Sequence, residues 1–417
     1  MSLPKITPDI SGYTYDWEQE KIKIECRRLS LHSGEIKGEI CISSTAPGVS
    51  ANHLHRANFN FSSDTARDRL SKSLSARMEA DWRAILEQTC VYTMDYFRKG
   101  ETVEELNSDD GSAQSPEFLF YPFVIKNYPT IIFGDPSASK SLFALIASSI
   151  MMLPWYDNPL EWRVPNRPLK ILYLDWETDA STINWNLSCL QRGMELPPLF
   201  LNYLHCSMPL YYDVEQVAEK IVDCKADVII IDSLGLAVGG DLNATEPALN
   251  FWGAWRKLKT TSIILAHTSK NNEEKKKSVY GNVYYSAEAR SIWEIKKSQE
   301  TGSKEMDVAL FNRKPPPFTG LLHPQGFHVD FEGVGEISNK IIISPSSPQS
   351  VSDFVAAMGT QAQIEQLLKE GSKTTREIEE AVGITNANAR NALKRLKDKN
   401  KITKLENDKW GLLALDY

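Results

Sequence analysis

The sequence predicts an α/β core around a mostly parallel sheet, preceded by an α+β segment and followed by a helix-rich one. Three observations predict it. Four apolar, β-branched runs, Thr130-Ile131-Ile132-Phe133, Ile171-Leu172-Tyr173-Leu174, Val228-Ile229-Ile230-Ile231 and Ser262-Ile263-Ile264-Leu265-Ala266, alternate with helical stretches in the middle of the chain. Runs of that kind are strands buried on both faces by crossover helices. The period is two near the start of the chain and helical near its end. A length of 417 residues allows several domains at roughly 100–200 residues each.

The first segment, residues 1–112, opens with Lys21 to Cys26 and Glu35 to Ile42, whose alternation reads as half-buried strands. From Ser63 to Arg98 the period is helical, through Leu70, Leu74, Met78, Trp82, Ile85, Leu86, Cys90 and Met94. His53 and His55 would share a strand face without a third ligand, so they read as structural. Glu101 to Pro116 is acidic and then rich in small residues, the texture of a linker. The core spans 113–343, with later strands expected at Ile292–Ile295, Asp307–Phe311 and Gly326–Phe331. A second linker, 344–350, leads to a helical module at 351–417.

Composition narrows the function. With 42% hydrophobic and 24% charged residues the chain is globular rather than disordered. A net charge of −7 excludes a globally basic coat but not a local basic surface. The six cysteines form no C-x-x-C pair, so neither a zinc site nor a disulfide framework is expected. The longest apolar stretch, near Leu142 to Pro154, is too short to span a bilayer, and the first residues lack a signal-peptide core. A cytoplasmic protein without a membrane partner is expected.

The strongest chemical signal is Gly134-Asp135-Pro136-Ser137-Ala138-Ser139-Lys140-Ser141, running into Leu142. It fits the phosphate-binding pattern G-x-x-x-x-G-K-[ST], with Ser139 at the second glycine. A strand precedes it and Leu142 to Met152 reads as a helix, so backbone N–H groups and the helix dipole would face phosphate. Lys140 would reach the β- and γ-phosphates of ATP, and Ser141 would ligate Mg²⁺. A Cβ at Ser139 crowds a tight loop. Asp232 ends an apolar strand, where a carboxylate can hold the Mg²⁺ water shell. Glu177 follows another strand, where it could deprotonate water, with Asp175 and Asp179 as competitors. His267 ends the fourth run, within reach of a γ-phosphate.

This order resembles the RecA-like P-loop ATPases, most closely the hexameric replicative helicases of the RepA and DnaB type. Val238 to Asn243 and Tyr280 to Ser291 resemble that group's loops, and Phe311-Asn312-Arg313-Lys314 its late basic strand. The likeness covers roughly Phe118 to Phe331. Phe311 and Asn312 depart from it where some members carry a lysine. The resemblance implies ATP held between subunits of a hexameric ring, with Arg313, Arg290 or Lys314 reaching the neighbour's γ-phosphate. It also implies a pore loop for single-stranded DNA, containing Lys270, Lys275, Lys276 and Lys277.

The C-terminal module reads as helix, helix, turn, helix and hairpin, which resembles a winged helix. Thr374 and Glu377 form a capping pair for its second helix. The third helix, Asn386 to Asp398, would meet duplex DNA through Asn388, Arg390, Lys394, Arg395 and Lys397.

The expectation is a RecA-like core between an α+β domain and a winged-helix domain. The implied protein is an Mg²⁺-dependent, DNA-stimulated ATPase that unwinds or translocates on DNA in mobile-element replication. Alternatives are a recombinase- or loader-like ATPase that assembles on DNA without unwinding it, and a nucleotide-gated DNA-binding regulator without turnover.

Overall fold

A computed structural model of the chain describes residues 2–9, 12–47, 53–100, 103, 115–269, 278–334, 337–348, 360–369 and 371–413. The chain divides into two compact units, one of Met1–Ser115 with Leu210–Lys225 and Gly253–Lys259, the other of the remainder. The two inserted segments come from the stretch read as core, so the units are not simple blocks of sequence.

The N-terminal part is an antiparallel sheet in chain order, β1 (Lys5–Asp9), β2 (Gly12–Trp17), β3 (Ile22–His32), β4 (Glu35–Ser44) and β5 (His53–Asn60). Alternation puts Ile22, Ile24 and Cys26 on the same face as Ile36, Ile40 and Ile42, all fully buried. Against that face lie Leu70 and Leu74 of α1 (Asp64–Ser75) and Trp82, Ile85 and Leu86 of α2 (Trp82–Lys99). The helical period predicted from Ser63 to Arg98 is thus two helices. Asp81 breaks it, because its carboxylate accepts from the Ala84 amide and starts a new helix. His53 and His55 lie on β5, where His53 Nδ1 is 3.7 Å from Cys41 Sγ.

The second unit is built on a nine-stranded sheet, and along the chain the helix Leu210–Cys224 and the end of the helix Thr245–Leu258 belong to the first unit. A small hairpin, β6 (Phe118–Phe120) and β7 (Val124–Ile125), precedes it. Chain order then runs β8 (Pro129–Gly134), α3 (Lys140–Met152), β9 (Ile171–Asp175), α4 (Ala180–Gly193), β10 (Asn202–His205), α5 (Leu210–Cys224), β11 (Val228–Asp232), α6 (Leu234–Val238), α7 (Thr245–Leu258), β12 (Thr261–His267), α8 (Val283–Glu288), β13 (Ser291–Ser298), β14 (Glu305–Lys314), β15 (Gln325–Val334) and β16 (Ile337–Pro345). Spatial order is β10-β9-β11-β12-β8-β13-β14-β15-β16. Pairing is parallel from β10 through β13 and antiparallel from β13 to β16. The predicted linker at 344–350 therefore starts late, because β16 continues to Pro345 against Phe327.

One face of this sheet carries Ile132, Tyr173, Ile230, Leu265, Trp293 and Ile295, packed with Phe143, Leu145, Ile146 and Ile150 of α3. Period-two alternation puts the last residues Asp175, Asp232 and His267 on this same face, beside the start of α3.

In the C-terminal module a short strand at Lys373–Thr374, absent from the sequence reading, accompanies three helices and a hairpin. Helices span Thr360–Lys369, Thr375–Val382 and Asn386–Asp398, and short strands Lys373–Thr374, Ile402–Lys404 and Lys409–Leu412 form one sheet. Thr374 and Glu377 make a reciprocal capping box, and Gly383 closes that helix at φ 67°. Ile364, Leu368, Ile378, Leu393, Leu396 and Ile402 form the module's core. All six cysteines are free. Among the described residues no helix is long and apolar enough to cross a membrane.

Candidate functional site

Parallel register aligns four strand ends. Asp232 lies opposite both Asp175 and Leu265, and His267 lies opposite Gly134. Side chains far apart in sequence therefore meet beside the first turn of α3, where an open α/β sheet places its chemistry.

The loop from Gly134 to Ser141 is tightly fixed. A Cβ on Gly134 would stand 2.6 Å from the Ile295 carbonyl oxygen, so only glycine fits. Ser137 and Ser139 have φ of 62° and 66°, the left-handed region. The missing second glycine thus sits where a glycine would be favoured. The serine side chain finds room, with its hydroxyl 3.4 Å from Met306 Sδ. Ala138 is buried, whereas Asp135, Pro136 and Ser137 are exposed at the loop's tip. Asp135 is held by the Thr268 hydroxyl.

Lys140 is buried, and its ammonium donates to the carbonyls of Gly134 (3.1 Å) and Asp135 (3.0 Å). Burial lowers its pKa, partly offset by the carboxylates of Glu177, Asp232 and Asp135. The same ammonium lies 3.4 Å from His267 Nδ1. Lysine can only donate, so Nδ1 is the accepting nitrogen and the ring proton belongs on Nε2. Nε2 faces Glu177 Oε1 at 3.7 Å.

Asp232 is 1% exposed. Its Oδ2 accepts from the Ser141 hydroxyl at 2.7 Å and the Tyr173 hydroxyl at 2.6 Å. Burial raises its pKa, opposed by those two hydrogen bonds. Glu177 Oε1 accepts from the Ser233 hydroxyl, and its carboxylate is about one-third exposed.

The competing acids are committed elsewhere. Asp175 is fully buried and accepts from the amides of Glu177 and Thr178 and from the Tyr203 hydroxyl. Asp179 caps α4 through the amides of Ser181 and Thr182. Glu177 is the carboxylate of the three that faces the loop through His267.

Ser141 and Asp232 supply the hard oxygen donors that Mg²⁺ prefers, side by side at the helix start. Among the described residues no group of three or more His, Cys, Asp or Glu side chains could hold a metal. The remaining ligands would be phosphate oxygens and water, the usual arrangement at phosphate sites.

The basic residues predicted to act across subunits do not join this cluster. Arg313 donates through Nε to Glu294 at 2.8 Å, and Glu294 is 2% exposed. Glu294 alternates with Trp293 and Ile295, so it lies on the sheet face away from α3. Lys314 donates to the carbonyls of Ser286 and Ala287, each at 2.8 Å. Arg290 is exposed, beyond the first residue of β8, whose carbonyl its amide meets at 3.0 Å. Lys270, Lys275, Lys276 and Lys277 lie outside the described residues. The two stretches that resemble helicase loops, near residues 238–245 and 280–291, are tied together: Asn282 donates to Asn243 O (3.1 Å) and Thr245 Oγ1 (3.2 Å), and a Cβ on Gly281, at φ +106°, would meet Leu242 O at 2.7 Å. In the C-terminal module Asn388, Arg390, Lys394, Arg395 and Lys397 are all exposed on one helix.

Sequence reading overlooked Tyr173, Ser233, Thr268 and Tyr203, whose hydroxyls set the geometry. Each lies within two residues of a strand end, which was the available signal.

Fold and site together have the arrangement of a P-loop nucleotide-binding core. Residues 97–273 match the family model of an AAA domain. That segment contains Lys140, Glu177, Asp232 and His267 and stops before Arg290 and Arg313. A KaiC-like protein from the hyperthermophilic archaeon Pyrococcus horikoshii is similar in structure, with 12% identity over 54% of this chain and 94% of that one and a TM-score of 0.35. No curated protein matches the chain.

Proposed function

We propose that the protein is an Mg²⁺-dependent, DNA-stimulated ATPase that assembles into a ring and acts as a helicase or translocase in the replication of a mobile element. The observation that carries the ATPase reading is the convergence of Lys140, Ser141, Glu177, Asp232 and His267 at aligned strand ends. Lys140 exchanges its loop carbonyls for β- and γ-phosphate oxygens. Bound Mg²⁺ offsets charge on the β- and γ-phosphates and in the transition state. Ser141 and Asp232 hold the metal's shell. Glu177 orients and deprotonates the attacking water, with Ser233 and His267 fixing its carboxylate. DNA action is supported by the exposed basic helix Asn386–Asp398 and by the likeness of Val238–Asn243 and Tyr280–Ser291 to helicase loops. Of the three candidates for the residue acting across subunits, we assign Arg290 first, because Arg313 and Lys314 bind groups of their own chain.

ATP hydrolysis with and without single-stranded DNA, with Lys140→Ala and Glu177→Gln as controls, tests this. DNA-stimulated turnover that both variants lose is expected, followed by opening of a forked duplex. Nucleotide binding without turnover above the controls overturns the motor reading. Turnover without strand displacement moves it to a loader.

A further inference from the structure

Tyr173 stands inside the sheet, fully buried, on β9 between β10 and β11 and opposite Ile230. A phenylalanine would fill that place as well, and burying a hydroxyl is unfavourable unless it is hydrogen-bonded. Its hydroxyl donates to Asp232 Oδ2 at 2.6 Å. The Ser141 hydroxyl converges on the same oxygen at 2.7 Å. Two donors on one oxygen fix the carboxylate's rotation and leave the lone pairs of Oδ1 uncommitted. Serine reaches Asp232 from the first turn of α3, whereas tyrosine reaches it from β9, a strand paired on both sides. Tyrosine is thus the member of the pair anchored within the sheet.

We infer that Tyr173 is a positioning residue for the metal-bound nucleotide, holding Asp232 so that its free oxygen faces the cation's shell. This rests on the nucleotide-binding reading above. Outer-sphere partners of metal-site ligands typically matter by 10–100-fold in metal affinity. Tyr173→Phe removes only the oxygen, so the sheet should retain its packing.

The test is the dissociation constant of a fluorescent ADP, measured once in excess Mg²⁺ and once in EDTA. Wild type, Tyr173→Phe and Asp232→Asn are compared. Wild type should bind more tightly with Mg²⁺. Tyr173→Phe should match wild type in EDTA but lose on the order of tenfold of the Mg²⁺ tightening, approaching Asp232→Asn. Unchanged EDTA affinity certifies a folded site, and a purely packing role would not move the ratio. Equal Mg²⁺ tightening in wild type and Tyr173→Phe overturns the inference while leaving nucleotide binding intact. Wild type that binds no ADP in either buffer overturns the nucleotide reading, and this inference with it.

Discussion

The Lys140 ammonium lies 3.4 Å from His267 Nδ1, and the other ring nitrogen faces Glu177 at 3.7 Å. His267 thus links Lys140, the lysine proposed to bind phosphate, to the carboxylate proposed to activate water. The link is made by strand register, since His267 lies opposite Gly134. Its loss should disturb Glu177 more than nucleotide binding. His267→Ala is expected to lower kcat about tenfold or more, with ADP affinity changed by less than about threefold, as for a group acting mainly in the transition state. Parallel loss of affinity and turnover would instead make it a phosphate ligand.

Three acids follow β9, and their surroundings separate their roles. Glu177→Gln should lower kcat by about 10²–10⁴-fold, the usual worth of a general base, with nucleotide affinity retained. Asp175→Ala should act on folding instead. It would orphan the part-buried amides of Glu177 and Thr178 and the Tyr203 hydroxyl. About 3 kcal/mol of stability is expected to disappear, readable by urea denaturation.

The difference between those acids shows what the sequence could reveal. The loop and its four strands were legible because apolar runs buried on both faces are distinctive in one dimension. Asp232 and His267 were legible as strand ends. Tyr173 and Ser233 were not, because a hydroxyl acquires its role only when register sets it beside a carboxylate on another strand. The ion pair of Arg313 with Glu294 was hidden for the same reason. It depends on the antiparallel turn between β13 and β14, and a basic residue near a strand end looks alike whether it binds its own chain or another. Asp179 was partly readable, since Asp179-Ala180-Ser181 before a helical stretch is a capping signal.

Arg313 and Arg290 should differ in kind. Arg313→Ala would leave the buried carboxylate of Glu294 facing Lys296 at 3.8 Å. A loss of about 3 kcal/mol in unfolding free energy is expected, as when one partner of a buried pair is removed. Arg290→Ala, at an exposed position, should leave stability unchanged and lower turnover in the assembled protein. Intact stability in Arg313→Ala with abolished turnover would reverse the assignment.

Asp179 gives a pH dependence with a definite sign. The Ser181 hydroxyl first, then the Thr182 amide, hold its carboxyl at about 2, below the ordinary value of 3.8. A depressed carboxyl stabilises the folded state above its unfolded value, and that contribution is lost as pH falls through the folded one. The stability difference between wild type and Asp179→Asn should therefore be constant above about pH 5 and shrink from pH 4 towards pH 2. Denaturation midpoints of the two proteins across that range measure it. A difference that persists undiminished at pH 2 would exclude a charge contribution from this cap.

The C-terminal module separates exposed cations from paired ones. Arg390, Lys394 and Lys397 are exposed, whereas Lys401 pairs with Glu365 at 3.0 Å and Lys399 meets Gln361 at 3.1 Å. The buried side of the helix Asn386–Asp398, made of Ala389, Ala392, Leu393 and Leu396, is untouched by changes on the outer one. Alanine at Arg390, Lys394 and Lys397 together should keep the fold and weaken duplex binding. The slope of log affinity against log salt should fall by about 0.9 for each phosphate that is no longer neutralised. Lys401→Ala should leave that slope near the wild-type value and cost only an exposed ion pair, about 0–1 kcal/mol. An unchanged slope in the triple variant would mean that duplex DNA does not meet this helix, and that its basic face serves a protein partner instead.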